Sequence, residues 1–156
     1  ANSTWALGAM YASGNVTIGG YVQYLNNIDD TETRRIYGLG GNYKFTKDFV
    51  GFAGYMLRSD EVSNRENSVW TLGANYELTP QVQLSVGYLS DDQSGSSALD
   101  GSRTVGFVTA NYKFSRRTDI YVEADANEVE DGYAKPAFMG TKGRQTAYSL
   151  GLRHRF

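Results

Sequence analysis

One amphipathic segment recurs five times along this chain of 156 residues. The copies are TWALGAMY (4–11), IYGLGGNYKF (36–45), VWTLGANYEL (69–78), VGFVTANYKF (105–114) and AYSLGLRHRF (147–156), and they begin about 32 to 42 residues apart. Within each copy, apolar or aromatic residues alternate with small, polar or charged ones. A period of two is typical of a β-strand with two chemically different faces. The repeat therefore predicts an all-β fold.

Sorting the repeats by alternate positions separates these two faces. One face is apolar and carries aromatic rings toward its ends, as in Trp70, Leu72 and Tyr76. The opposite face is small, polar or charged, and includes Asn42, Lys44, Thr71, Asn75, Glu77, Thr109, Asn111, Lys113, Ser149, Arg153 and Arg155. Each strand is thus expected to separate an apolar environment from a polar one.

Four partner strands are predicted between the repeats, at VTIGGYVQYL (16–25), FVGFAGYML (49–57), VQLSVGYL (82–89) and DIYVEADA (119–126). The faces of 49–57 are ambiguous from the sequence. A tight turn follows each of the first four repeats. A long polar loop follows each partner, at NNIDDTETR (26–34), RSDEVSNREN (58–67), SDDQSGSSALDGSR (90–103) and NEVEDGYAKPAFMGTKGRQ (127–145). This alternation predicts an antiparallel up-and-down meander whose two ends face different environments.

Composition argues against several functional classes. The net charge of -2 disfavours a nucleic-acid binder, and the absence of cysteine excludes disulfides and thiolate metal sites. The only histidine, His154, provides neither a metal cluster nor a catalytic triad. The acidic loops lack the spacing of an EF-hand. We therefore expect no enzymatic activity, no metal and no cofactor.

Alternation alone fits either a soluble ligand-binding barrel or a membrane barrel. Spanning helices are excluded because no stretch approaches 18 uninterrupted apolar residues and the mean hydropathy is -0.46. Tyr37 and Phe45 are separated by about 26 Å along a strand, or about 20 Å after tilting, close to the apolar band of about 25 Å in membrane barrels. Rings at both ends of the apolar stripe favour the membrane barrel.

The ending YSLGLRHRF (148–156) and the preceding KFSRRTDIYVEAD (113–125) resemble the C-terminal strands of general diffusion porins of Gram-negative outer membranes, most closely the betaproteobacterial type. The resemblance extends over the whole chain at the level of strand, turn and loop. It implies a homotrimeric outer-membrane protein forming a water-filled channel for passive diffusion of ions and small hydrophilic solutes. It also implies contacts with membrane lipids, lipopolysaccharide and the outer-membrane insertion machinery, and no partnership with nucleic acid.

The resemblance also suggests roles for individual residues. The last strand is similar to an assembly signal read during insertion, formed here by Ser149, Gly151 and Phe156. Alternation places a set of charged residues on the expected pore-lining face: Lys44, Glu77, Lys113, Glu123, Asp125, Arg153 and Arg155.

Nine predicted strands raise a question of closure, because single-chain bacterial barrels have even strand numbers. Residues 1–156 are expected to form one barrel domain or the C-terminal portion of one, and we favour the C-terminal part of a sixteen-stranded barrel. The resemblance then implies that the acidic constriction loop belongs to the other half. The alternative is that residues 3–12 are not a full spanning strand, which leaves a small eight-stranded barrel with an adhesive or structural role and no open pore.

Overall fold

The computed structural model describes residues 3–26, 33–95, 98 and 100–155. Consecutive strands pair antiparallel in one nine-stranded sheet, in the order β1 to β9. The strands are β1 (Ser3–Ser13), β2 (Val16–Asn26), β3 (Thr33–Lys44), β4 (Phe49–Asp60), β5 (Glu66–Glu77), β6 (Val82–Ser94), β7 (Gly101–Lys113), β8 (Thr118–Asp131) and β9 (Arg144–His154). A 3-10 helix, Ala137–Met139, lies between β8 and β9. No apolar helix of membrane-spanning length is present among these residues. The predicted all-β meander is confirmed.

Several strands continue further toward the long-loop end than the sequence predicted. β4 ends at Asp60, β6 at Ser94 and β8 at Asp131, whereas the predicted ends were 57, 89 and 126. The ladder between β6 and β7 continues as far as the pair Gln93 and Gly101. The predicted loop boundaries were wrong because polar residues were assigned to loops although their backbone hydrogen bonds continue the sheet.

The register places the repeats and their partners on common faces. We call the side that carries Leu72, Val108 and Leu150 the outer face, and the side that carries Thr109 and Glu123 the inner face. Leu72 is 64% exposed and Leu150 is 73% exposed. In contrast, the buried non-glycine residues of the described strands all lie on the inner face: Asp60, Asn67, Val69, Gln93, Asp119, Asn127 and Val129. The inner face is therefore the enclosed side of the sheet.

The register also resolves the strand whose faces were ambiguous. Tyr55 in β4 pairs with Leu39 in β3 and with Trp70 in β5, so its side chain belongs to the outer face. Phe52 and Met56 consequently lie on the inner face, because side chains alternate along a strand. The ambiguity arose because β4 carries large apolar residues on both faces.

The first strand is complete, contrary to the alternative that leaves eight strands. β1 pairs with β2 along all its residues, from Ser3 opposite Asn26 to Ser13 opposite Val16. Among the described residues, β1 and β9 are the two edges of the sheet and do not pair with each other. The chain thus provides nine consecutive strands of a meander.

The inner face as candidate functional site

The inner face carries a charged cluster near the short-turn end of β5, β6 and β7. The Lys113 ammonium lies 3.2 Å from Glu77 Oε1, although β6 separates their two strands. Gln83, on β6 between them, donates from Nε2 to the same Glu77 oxygen at 2.8 Å. Both charged side chains are partly exposed. The sequence predicted both residues as pore-lining, and the structure brings them together as an ion pair.

A second cluster surrounds the carboxylate of Asp119, which is only 3% exposed. Arg153 donates from Nε to Oδ1 at 3.0 Å and from Nη2 to Oδ2 at 2.7 Å. Asn111 adds a hydrogen bond from Nδ2 to Oδ2 at 3.1 Å. This bidentate pair compensates the carboxylate for lost hydration. Arg153 was predicted on this face, but its partner Asp119 was not.

Glu123 and Asp125 occupy the middle of β8 on the inner face. Thr109 Oγ1 donates to Glu123 Oε2 at 2.9 Å, and Asn127 Nδ2 donates to Asp125 Oδ2 at 2.7 Å. Both hydrogen bonds come from neutral side chains, so neither bond places a positive charge beside these carboxylates. Ser149 in β9 is the register partner of Glu123.

The remaining predicted residues lie near the ends of their strands. Lys44 is exposed at the end of β3, opposite Val50. Arg155 is exposed and follows β9, where its backbone N–H donates to Arg117 O. Gly151 lies on the inner face beneath the ring of Tyr121. Phe156 lies outside the described residues.

The sequence analysis missed a network at the long-loop end of the inner face. Asp60 accepts hydrogen bonds from Arg34 Nε at 2.8 Å and from Arg58 Nη2 at 2.5 Å. Asp91 accepts one from Asn67 Nδ2 at 2.8 Å. All of these residues were assigned to the long polar loops 26–34, 58–67 and 90–103. The sequence gives no periodic signal for them, because LRSD (57–60) after Leu57 and all of SDDQS (90–94) carry polar residues on both faces.

Aromatic contacts on the outer face form two bands. Toward the long loops, Trp5 stacks on Tyr24 with ring centroids 4.4 Å apart, and Tyr55 contacts Trp70 at 4.8 Å. Toward the short turns, the contacts are Tyr43 with Phe45, Phe49 with Tyr76, and Tyr112 with Phe114. Exposed aliphatic side chains such as Leu39 and Leu72 lie between the bands. This arrangement matches the two interfacial girdles of a membrane barrel.

Solved structures of outer-membrane proteins share this fold at low sequence identity. OmpT, an outer membrane protein of Vibrio cholerae, is 14% identical with a TM-score of 0.81, covering 98% of this chain and 55% of its own. The anion-selective porin from Comamonas acidovorans is 17% identical with a TM-score of 0.75, covering 96% and 48%. The outer membrane channel DcaP of Acinetobacter baumannii is 16% identical with a TM-score of 0.69, covering 97% and 52%.

The chain spans about half the length of these three structures. Comparison with curated protein sequences gives no significant match. The family model of the Gram-negative porins matches residues 1–132, which is most of the chain. With nine amphipathic strands, two aromatic bands and this match, the chain belongs to the Gram-negative porin family and is a β-barrel protein of the outer membrane.

Proposed function

We propose that this chain forms the wall of a water-filled channel through which ions and small hydrophilic solutes diffuse passively, without a chemical reaction. The observation that carries the proposal is the contrast between the two faces. The outer face exposes leucines and rings, whereas the enclosed inner face holds charged groups such as Glu77, Lys113 and Glu123. Charged groups on that face need water, and an aqueous lumen supplies it.

Selectivity in such a channel depends on the charges that remain near the solute path. Lys113 and Glu77 largely neutralise each other, as do Arg153 and Asp119. Glu123 and Asp125 have neutral hydrogen-bond partners, and these two carboxylates outnumber Arg103, the one cation among the described residues that line the same cavity, so they contribute a net negative potential at the middle of β8. We propose that this part of the wall favours cations, because a charged wall raises the local concentration of counter-ions.

The partners follow from the same proposal. The outer face would contact membrane lipids and lipopolysaccharide, and three copies would assemble as a homotrimer. Ser149, Gly151 and Phe156 would be read by the insertion machinery during assembly. Electrophoresis of the folded protein with and without heating tests the trimer, because a trimer dissociates to faster-migrating monomers only after heating.

Planar-bilayer recording of the full chain, refolded in detergent, tests the channel. We expect stepwise conductance increases as molecules insert, and swelling of proteoliposomes in solutions of small sugars. Folding is checked first by the β-sheet circular-dichroism spectrum and by heat-dependent electrophoretic mobility. A folded, membrane-inserted protein that shows neither conductance steps nor swelling would refute the channel and support a closed barrel with a structural or adhesive role.

A further inference from the structure

The connection between β8 and β9, residues 132–143, does not extend away from the sheet. Tyr133 Oη donates to Asp91 Oδ2 at 2.6 Å. Asp91 belongs to the inner face of β6, because it alternates with the outer-face residue Tyr88 and also binds the inner-face Asn67. Tyr133, two residues after the end of β8, therefore reaches back past β7 to the inner face of the sheet.

A second contact anchors the middle of this connection. The ring of Phe138, in the short 3-10 helix, lies 5.8 Å from the guanidinium carbon of Arg103. Arg103 is on the inner face of β7 and donates from Nη2 to Asn127 Oδ1 at 2.8 Å. The negative face of an aromatic ring attracts a nearby cation, and the attraction is stronger when the pair is desolvated. The neighbouring Met139 is only 4% exposed, so the 3-10 helix packs against its surroundings through this side chain.

Hydrogen bonds within the connection hold its shape between these anchors. Gly132 N–H donates to Asp100 O at 2.9 Å, and Val129 N–H donates to Gly143 O at 2.7 Å. Lys135 Nζ donates to Thr141 O at 3.2 Å across the base of the helix. Both ends and the middle of the connection are therefore tied to defined backbone positions.

The anchored connection faces a groove in the wall. A cavity of about 470 Å³ lies between Phe138 and the inner-face side chains of β7, β8 and β9. Its lining includes both aromatic and charged groups: Arg103, Val105, Phe107, Glu123, Asp125, Asn127, Phe138 and Ala147. The phenyl ring of Phe138 and the carboxylates of Glu123 and Asp125 therefore line the same cavity.

We propose that residues 132–143 are an inward-folded constriction that sets the size limit of the channel, with Phe138 as the side chain that narrows the path. The proposal rests on the channel function proposed above. The resemblance implied a constriction loop in the other half of a larger barrel, whereas this narrowing is built from the last long connection of the chain. It is a specificity-determining segment, because it limits passage without binding solute tightly.

Single-channel conductance and sugar-dependent swelling of proteoliposomes test the proposal. Phe138→Ala and Tyr133→Phe should each increase conductance and admit larger sugars than the unaltered protein. Phe138→Trp should lower conductance and exclude sugars that the unaltered protein admits. Matched controls are Val62→Ala, an exposed apolar side chain between β4 and β5, and Tyr148→Phe on the outer face. Both controls should leave conductance unchanged.

The outcomes separate this proposal from the channel itself. If the unaltered protein conducts and the Phe138 and Tyr133 variants fold but show the same conductance and sugar limit, the constriction is wrong and the channel stands. If the unaltered protein is folded and inserted but silent, the proposed channel fails first. Opposite shifts for Phe138→Ala and Phe138→Trp support the constriction.

Discussion

The ring of Tyr121 in β8 lies over Gly151 in β9, its direct partner in the register. A methyl group at Gly151 would overlap the ring. The same relationship recurs on the inner face in three other strand pairs: Tyr21 over Gly38, Phe52 over Gly73, and Phe107 over Gly87. An aromatic ring that covers a cross-strand glycine restores the packing that the glycine lacks. Gly151 therefore has a packing role in addition to the assembly role that the resemblance suggests.

Gly151→Ala should destabilise the folded protein by roughly 1–3 kcal/mol, because the added carbon forces the Tyr121 ring out of its position. Urea unfolding in detergent, followed by tryptophan fluorescence, measures the change. Gly106→Ala is the matched control: it replaces a strand glycine around which an added carbon meets no neighbour. Equal effects of the two substitutions would contradict the packing role.

A second substitution separates packing from assembly. Tyr121→Ser removes the ring and should relieve the overlap. Gly151→Ala should therefore lower the free energy of unfolding by less in the Tyr121→Ser background than in the unaltered protein. If the glycine is also read during insertion, the double variant will refold in detergent but insert poorly in cells. If the double variant both refolds in detergent and inserts normally in cells, packing is the only role of Gly151.

Lys113→Gln should shift the channel toward cations, because it leaves the carboxylate of Glu77 without its ammonium partner. Stability should change by about 1 kcal/mol or less, since both side chains are partly exposed and such pairs contribute little. The reversal potential under a salt gradient measures the shift. Lys47→Gln, in the turn between β3 and β4, removes the same charge from a side chain that is 89% exposed. A shift as large in that control would argue against a specific effect of Lys113.

The strands and their faces could be predicted because the period of two is a local property. Leu72 and Thr71 must point to opposite sides in any strand, whatever pairs with it. The strand ends could not be predicted in this way. Arg58 and Asp60 look like loop residues by polarity. Only backbone pairing keeps them in the sheet, with β3 for both residues and also with β5 for Arg58.

The site was predictable as a face but not as a set of contacts. Alternation placed Glu77 and Lys113 on one side, but their ion pair crosses β6 and depends on two consecutive registers. The contact of Tyr133 with Asp91 depends on the path of a long connection, for which the sequence carries no periodic signal. Register and loop path are set by packing over the whole sheet.

Arg153→Met should destabilise the fold, because it leaves the enclosed carboxylate of Asp119 without its bidentate partner. Asn111 alone then satisfies that carboxylate. Arg155→Met is the matched control, since Arg155 is exposed and follows the end of β9. The urea midpoint should fall for Arg153→Met and stay near the unaltered value for Arg155→Met. Equal midpoints for the two variants would show that the pair contributes no net stability.

The connection that contacts the inner face should open at high pH. Burial, and then the hydrogen bond to Asp91, raises the pKa of Tyr133 from its usual 10.0 to about 12, although Arg103 and Arg65 act in the opposite direction. Because the folded form holds this proton more tightly, the anchoring contribution is complete below about pH 10 and is lost as the pH rises to about 12. Deprotonation removes the donated hydrogen bond and places a phenolate beside a carboxylate.

Conductance of the unaltered protein should therefore increase between about pH 10 and pH 12. Tyr133→Phe should lack this step, because it has no hydroxyl to titrate and its anchor is already absent at neutral pH. Tyr148→Phe, which removes an exposed outer-face hydroxyl, should keep the step. Circular dichroism at each pH establishes that the sheet is intact. If Tyr133→Phe shows a conductance increase of the same size over this pH range, another group is responsible for it. The Tyr133 contact then does not hold the constriction in place.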